Sequence, residues 1–141
     1  MKKIICLVLC VCLVLSVSSL AFAKEYNDIK VTLNGKNIEF DQKPLMKDDR
    51  VLVPVRKIAE TLGATLAYDE ETETVLAVMN NTVIVMQIGS STIYINGEEK
   101  VIDVPALEVG GRTLIPTRAF AEAFSCKVDW NDDLETVIIT K

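Results

Sequence analysis

The chain has 141 residues, of which 50% are hydrophobic, and it carries 15 Lys and Arg against 20 Asp and Glu. This acidic balance argues against nucleic acid and anionic lipid as partners, because both require a basic protein surface. Histidine is absent, which removes the commonest general base and the commonest transition-metal ligand.

The first 23 residues have the pattern of a secretory signal peptide. Two lysines near the start are followed by an apolar run over residues 4–15, and the segment ends in the small-x-small pattern Ala-Phe-Ala. We therefore predict cleavage between Ala23 and Lys24. The alternative is an uncleaved membrane anchor, but this run is about 12 residues long where a spanning helix needs about 20. The mature chain, residues 24–141, is predicted to be secreted, with no membrane contact after cleavage.

The cysteines predict a domain without internal disulfides. Three of the four lie in the predicted signal peptide, so only Cys126 remains after cleavage and the core must hold the fold. Cys126 follows an apolar helix face, which favours a buried, inert thiol. The alternatives are an intermolecular disulfide or a reactive thiol.

An internal repeat relates the two halves of the predicted mature chain. A shift of 62 residues superposes residues 30–78 on residues 92–140 without a gap, and 13 of the 49 pairs are identical. Such self-similarity indicates a duplicated structural unit. We place the two units at about residues 29–79 and 91–140.

Each unit begins with a predicted hairpin and continues into a strand. Val31 and Leu33 alternate with polar residues and lead into Asn34-Gly35, which favours a type I′ turn because both central positions take positive φ. After a loop, residues 50–53 form a short predicted strand. It stops at Pro54, which suits the first turn of a helix.

The predicted helix of the first unit has one apolar stripe, formed at i, i+3, i+4 and i+7 by Val55, Ile58, Ala59 and Leu62. Gly63 supplies a left-handed helix end. Ser125 replaces that glycine in the second unit, so we expect a poorer cap there.

The remaining pattern completes the predicted fold. Two further strands follow each helix, separated by an acidic turn, and residues 82–88 form an apolar run that predicts a central strand covered on both faces. Helices of about two turns are unstable alone, so they must lie on the sheet. The predicted class is α+β, with two tandem pseudo-symmetric β-β-β-α-β-β units in one mostly antiparallel sheet assembly carrying two short helices. No linker or second domain is predicted.

The repeated motif resembles a known family. Asn-Gly, then Arg-x-Leu-x-Pro-x-Arg-x-x-Ala-Glu, then a helix stop, an aromatic residue and an acidic turn occur twice. This pattern resembles the copper amine oxidase N-terminal-like, or stalk, domain of secreted Gram-positive bacterial proteins. The resemblance covers nearly all of residues 24–141 and is closest in the second unit. The first unit departs from the family pattern at Asp48-Asp49 and at Tyr68.

The resemblance implies a stalk that lies away from the oxidase active site. An amine oxidase needs three histidine copper ligands and a tyrosine, in an Asn-Tyr-Asp/Glu setting, that matures to the quinone cofactor. The chain has no histidine, and Tyr26, Tyr68 and Tyr94 all lack that setting. We therefore predict a protein that is not an enzyme and has no cofactor and no metal site.

The matched arginines are the first candidate site residues. Two structural ion pairs are predicted at i, i+4 on the helices, Arg56 with Glu60 and Arg118 with Glu122. Arg50 and Arg112 start the strand before each helix. They either join such a network or point outward to bind a carboxylate or phosphate ligand.

Aromatic and acidic residues give the other candidates. Tyr68 and Trp130 occupy the same repeat position, where their flat rings either stack on a sugar or cover the core with their polar tips in water. With Arg50 and Arg112, they are the candidate ligand-binding residues. The acidic turns lack the Asp-x-Asp-x-Asp-Gly pattern of a calcium loop and are predicted to be solvated. Their carboxylates are Asp69, Glu70, Glu71, Glu73, Asp132, Asp133 and Glu135.

The sequence thus predicts a secreted, non-catalytic scaffold or binding and adhesion module at the bacterial cell envelope. It is expected outside the cell, either associated with the wall or released, with a cell-wall glycan or another extracellular protein as partner. One alternative is a carbohydrate- or peptidoglycan-binding protein that uses Trp130, Tyr68 and Arg112. The other is a small carboxylate-dependent hydrolase that uses the acidic turns.

Overall fold

The computed structural model describes residues 24–141, which form thirteen strands and two short helices. Most strand pairs are antiparallel, so the predicted α+β class is confirmed at this level. The predicted signal peptide, residues 1–23, lies outside the described residues. Neither helix of residues 24–141 has the length and apolar character needed to cross a membrane. The elements are β1 (Lys30–Leu33), β2 (Lys36–Asn37), β3 (Leu45–Lys47), β4 (Arg50–Pro54), α1 (Val55–Leu62), β5 (Thr65–Asp69), β6 (Thr74–Met79), β7 (Thr82–Gln87), β8 (Thr92–Ile95), β9 (Glu98–Val101), β10 (Leu107–Val109), β11 (Arg112–Pro116), α2 (Thr117–Ala123), β12 (Lys127–Asn131) and β13 (Thr136–Thr140).

The strands form three sheets rather than one. The first sheet has the order β12-β13-β1-β2, the second β10-β11-β4-β3 and the third β5-β6-β7-β8-β9. Among the described strands, one pair is parallel: β1 lies beside β13, with Lys30 opposite Thr136 and Leu33 opposite Ile139. Alternation in the sequence indicates which face of a strand is buried. It does not specify which strands share hydrogen bonds, so the division into three sheets was not predicted.

Strands from the two halves of the chain are exchanged between the first and third sheets. At the offset of 62 residues, β1 corresponds to β8 and β6 corresponds to β13. The early hairpin β1-β2 pairs with the late strands β12 and β13, whereas the late hairpin β8-β9 joins β5 and β6 through β7. Neither half therefore completes the first or third sheet from its own strands.

The second sheet places β4 beside β11. Val53 lies opposite Ile115, with Leu52 opposite Pro116 and Pro54 opposite Leu114. These residues match one another at the same offset, so the register is symmetric about Val53 and Ile115. Both of those side chains are fully buried, which places the pairing of β4 with β11 inside the core.

Each helix begins directly after a proline that ends a strand. The predicted stripe of α1 is confirmed, because Val55, Ile58, Ala59 and Leu62 are its buried residues. Gly63 ends α1 with φ 90° and donates its N–H to the Glu60 carbonyl at 3.1 Å. Ser125 follows α2 with φ 64°, a conformation that strains any residue with a Cβ atom.

The central strand β7 is covered on one face only, so the prediction of cover on both faces was wrong. Ile84 and Met86 are 1% exposed, whereas Val83 is 37% exposed. β-Branched residues on both faces satisfy strand propensity whether or not a second layer covers them. The outer face of the third sheet consequently carries exposed apolar side chains.

The main core draws on both halves of the chain. Val31, Ile58, Phe120 and Ile139 are fully buried members of one cluster. Cys126 belongs to the same cluster, and burial raises the pKa of its thiol. The buried thiol that the sequence favoured is therefore observed. The raised pKa keeps Cys126 in its less reactive, protonated form.

Candidate functional site

The first arginine of each strand that precedes a helix pairs with an aspartate from the other half of the chain. Arg50, at the start of β4, pairs through Nη2 with Asp103 Oδ2. Arg112, at the start of β11, donates to Asp41 Oδ2 from Nη2 at 2.6 Å and from Nε at 3.0 Å. This bond, assisted by the backbone N–H of Gln42, lowers the pKa of Asp41. All four paired side chains are at least 44% exposed, so the pairs position loops more than they stabilise the fold.

The two aspartates are ion-pair partners that the repeated motif does not include. Asp41 and Asp103 are identical residues at the offset of 62. They lie 71 and 53 residues from their arginine partners, so spacing along the chain gave no hint of the pairing. Their identity in the repeat was the one available signal. In the structure the same kind of ion pair is made twice. The first-half arginine pairs with the second-half aspartate, and the second-half arginine pairs with the first-half aspartate.

A cleft of about 460 Å³ opens where the two halves of the chain meet, and we call it the Trp130 cleft. The structure brings Arg50 and Trp130 together here, although they come from different halves. The cleft has both charged and apolar walls. Its lining includes Arg50, Lys100, Val101, Arg118, Asp129 and Trp130.

Tyr26, in the segment of residues 24–28, lines one side of the Trp130 cleft. Tyr26 meets Trp130 edge to face, with ring centres 5.8 Å apart. Asp132 Oδ1 accepts hydrogen bonds from Trp130 Nε1 at 3.3 Å and the Tyr26 hydroxyl at 3.2 Å, and its Oδ2 lies 2.7 Å from Lys24 Nζ. These bonds, with that of Lys24 the largest cause, lower the pKa of Asp132. Trp130 is therefore partly buried, and its polar tip is bonded within the protein.

A second cleft of about 390 Å³, the Tyr68 cleft, occupies the corresponding place in the other half. Arg112 and Tyr68 line it, as Arg50 and Trp130 line the first cleft. Tyr68 is 42% exposed. Partial burial, and then the nearby carboxylates of Glu73 and Glu108, raise the pKa of its hydroxyl. The hydroxyl is therefore a hydrogen-bond donor at neutral pH.

The four candidate ligand-binding residues thus belong to two clefts. Arg50 lies with Trp130, and Arg112 lies with Tyr68. The carbohydrate-binding alternative placed Trp130, Tyr68 and Arg112 in one site. The structure instead places Trp130 in one cleft and Tyr68 with Arg112 in the other. Residues at matching repeat positions were grouped in the sequence because they were equivalent, whereas strand exchange places each arginine beside the aromatic residue of the other half.

The helix arginines differ from each other. Arg118 Nη1 lies 3.3 Å from Glu122 Oε1 and donates to the Val128 carbonyl at 3.0 Å. The structure departs from the prediction for Arg56 and Glu60, which are not joined by an ion pair in residues 24–141. An exposed pair of this kind gains little in water, so i, i+4 spacing permits the contact without requiring it.

In the first acidic turn, an aspartate side chain accepts hydrogen bonds from the backbone of the same turn. Asp69 Oδ1 accepts the N–H groups of Glu71 and Thr72, at 3.0 and 3.3 Å, which is the hydrogen bonding of an Asx turn. Asp69 and Glu71 are both exposed. Over residues 24–141, no group of three or more His, Cys, Asp or Glu side chains is arranged to hold a metal ion.

Comparison with known proteins identifies the family. The sequence profile of the copper amine oxidase N-terminal domain matches residues 32–139. No curated protein matches the chain. Because the match covers well over half of the chain and nearly every described element, the chain belongs to the copper amine oxidase N-terminal domain family. The resemblance drawn from the repeated motif is confirmed.

Proposed function

We propose that this member of the copper amine oxidase N-terminal domain family is a secreted, non-catalytic binding module of the bacterial cell envelope. The N-terminal domain of copper amine oxidase is itself a non-catalytic, stalk-like domain. Secretion is supported by the leader pattern of residues 1–23. We further propose that the two halves are tandem pseudo-symmetric units, since their elements and arginine–aspartate pairs recur at one offset.

The Trp130 cleft carries this proposal. It is the larger of the two clefts, and it combines apolar walls with charged side chains that converge from both halves. Concave sites of this composition are the usual places where proteins bind small ligands. The Tyr68 cleft shares its framework but has a smaller volume and tyrosine in place of tryptophan, so it serves as an internal comparison.

A glycan of the cell wall is the ligand class that we favour. Trp130 offers an aromatic surface, and the cleft is lined by three cationic side chains and four carboxylates. Such a nearly balanced set does not select a charged ligand. It instead offers many donors and acceptors to the hydroxyl groups of a neutral sugar. Another extracellular protein is the second class of partner consistent with a scaffold or adhesion role.

A non-catalytic role is supported by the ion pairs of the Trp130 cleft. Asp103 pairs with Arg50, and Glu122 pairs with Arg118. Hydrolysis of a glycoside needs two carboxyl groups that flank the scissile bond. These two carboxyl groups instead contact guanidinium groups of the protein itself.

Retention on purified cell wall tests this function. We expect the chain from Lys24 to bind the wall, and Trp130→Ala to weaken binding at least about tenfold, as loss of a central aromatic contact does. Lys100→Ala, on the rim of the same cleft, should also weaken binding. Tyr68→Ala is the matched control at the equivalent position and should leave retention within about twofold of wild type.

Three outcomes would count against the proposal. Equal retention of wild type and both Trp130-cleft variants would reject the site. Absence of wall binding would reject the glycan ligand, and release of soluble sugar from the wall would reject the non-catalytic role. Thermal unfolding of each variant separates lost binding from lost folding. Amino-terminal sequencing of protein from culture medium should read Lys24-Glu25-Tyr26 if the leader is cleaved as predicted.

A further inference from the structure

Two equivalent strands, β5 and β12, each form one edge of a sheet, β5 in the third sheet and β12 in the first; β9 and β2 form the opposite edges. They differ in charge. β12 carries Lys127 and Asp129 at exposed positions, whereas β5 reads Thr-Leu-Ala-Tyr before its first charge, at Asp69. Charged side chains on edge strands discourage pairing with other molecules. β12 has this protection over most of its length, and β5 has it only at its last residue.

The backbone of β5 is also open. The Ile88 N–H donates to the Glu73 carbonyl at 3.0 Å, which fixes the alternation of hydrogen bonds along β6. In that alternation Ala67 bonds to β6, and Leu66 and Tyr68 direct their N–H and C=O groups away from the sheet. β5 therefore presents two donors and two acceptors in the spacing of a strand partner.

The equivalent backbone groups of β12 are partly covered. Arg118 Nη1 donates to the Val128 carbonyl at 3.0 Å, and Val128 corresponds to Leu66 at the offset of 62. Arg56 corresponds to Arg118, yet no hydrogen bond from Arg56 to Leu66 is present in residues 24–141. At the equivalent position, an arginine therefore occupies the edge of β12, whereas the edge of β5 is available.

The outer face next to β5 extends this surface. Ala67, Leu76, Val85 and Tyr94 lie opposite one another in a row across four strands. Leu76 is 37% exposed and Tyr94 is 39% exposed. The edge and the row together form a partly apolar surface that continues directly from the unpaired backbone of β5.

We propose that β5 pairs with β5 of a second copy of this chain, in antiparallel orientation about Ala67. This register sets Ala67 against the same residue of the second copy. It places Thr65 opposite Asp69 of the second copy, where a hydroxyl can donate to a carboxylate. No like charges meet. Four backbone hydrogen bonds join Leu66 of each copy to Tyr68 of the other copy. The outer faces of the two sheets then form one continuous face.

The charge pattern selects β5 for this role. In the same register, β12 would set Asp129 directly against Asp129 of the second copy, and like charges opposite one another destabilise a strand pair. An isologous contact requires one patch to be complementary to itself. β5 meets that requirement, because its central residue is a small uncharged alanine.

Sedimentation equilibrium of the chain from Lys24 to Lys141, which holds every element described, tests the pairing. We expect a concentration-dependent dimer. Ala67→Asp, which gives β5 the central charge of β12, should raise the dimer dissociation constant at least about tenfold. Asp129→Ala, the matched change at the equivalent position, should alter it by less than about twofold. Ala67 is exposed, so both variants are expected to fold, and circular dichroism checks this.

Hydrogen exchange locates the contact. The amides of Leu66 and Tyr68 should exchange more slowly as protein concentration rises, and those of Val128 and Trp130 should not change. A wild-type chain that stays monomeric to about millimolar concentration would overturn the proposal. So would a dimer that survives Ala67→Asp, or one that protects β12 in place of β5. Wall binding through the Trp130 cleft is measured separately and does not depend on this result.

Discussion

The Trp130 cleft and the Tyr68 cleft are built on the same framework and finished differently. Each has an arginine paired with an aspartate from the opposite half, a proline at the start of a helix and an aromatic residue on the following strand. At the first cleft, Tyr26 adds a further wall, Lys24 bonds to the same Asp132 side chain as Tyr26, and Arg118 bonds to the edge strand. The shared parts recur at the offset of 62, and the added parts distinguish one cleft from the other.

The helices beneath the two clefts give the largest expected effect. Phe120 of α2 is fully buried and packs edge to face on Phe124 at 5.2 Å, and its equivalent in α1 is the fully buried Ile58. Phe120→Ala should lower the free energy of unfolding by about 3–5 kcal/mol, and Ile58→Ala by about 2–5 kcal/mol. Urea unfolding measures both. A loss below 1 kcal/mol at either site would contradict the close packing of that residue in the core.

The helix ends give a smaller effect of opposite sign in the two halves. Gly63 takes φ 90° without strain, whereas Ser125 at φ 64° is strained by its Cβ atom. Gly63→Ala should lower the free energy of unfolding by about 1 kcal/mol, and Ser125→Gly should raise it by about 0.5 kcal/mol. The same urea titration reads both changes. If both substitutions shift stability in the same direction, the two ends do not differ in the way proposed.

The smallest effect concerns residues 24–28, whose Lys24 and Tyr26 bond to Asp132 beside Trp130. The pKa of Asp132 in the folded state lies below its ordinary value of 3.8. Its bonds to Lys24 and Trp130 are therefore complete above pH 3.8, and they are lost as pH falls through the lowered folded-state pKa. Fluorescence of Trp130, the single tryptophan of the chain, should hold steady from neutral pH down to that range and change below it.

Substitution separates this effect from general acid unfolding. Asp132→Asn should give, already at neutral pH, the fluorescence that wild type shows at low pH, because the amide does not carry the charge that holds Lys24. Glu70→Gln at the equivalent position should leave the emission unchanged. An Asp132→Asn spectrum identical to that of wild type at neutral pH would mean that the segment does not depend on this carboxylate.

Local structure followed closely from the sequence. The hairpin at Asn34-Gly35 is present, with φ 49° and 84°, because two consecutive positive φ angles leave few other residue choices. The start of α1 after Pro54 and its end at Gly63 have the same kind of cause. Where the conformation of one or two residues decides the structure, their identity is enough to predict it.

The site depended on information that no local pattern carries. Arg50 meets Asp103 and Trp130 because β1-β2 and β8-β9 are exchanged between the first and third sheets. Either pairing of hairpins would bury the same alternating residues, so hydrophobic periodicity cannot distinguish them. The repeat revealed which residues are equivalent. It could not reveal which of them are neighbours.

The parallel pair of β1 and β13 also has a consequence for how the domain would respond to tension. Because the two strands run in the same direction, with Lys30 beside Thr136 and Leu33 beside Ile139, the chain enters at one end of the pair and leaves at the other. Tension applied through both ends slides one strand along its neighbour, so the evenly spaced hydrogen bonds resist the load together. An antiparallel pair at the same place would let them open one after another.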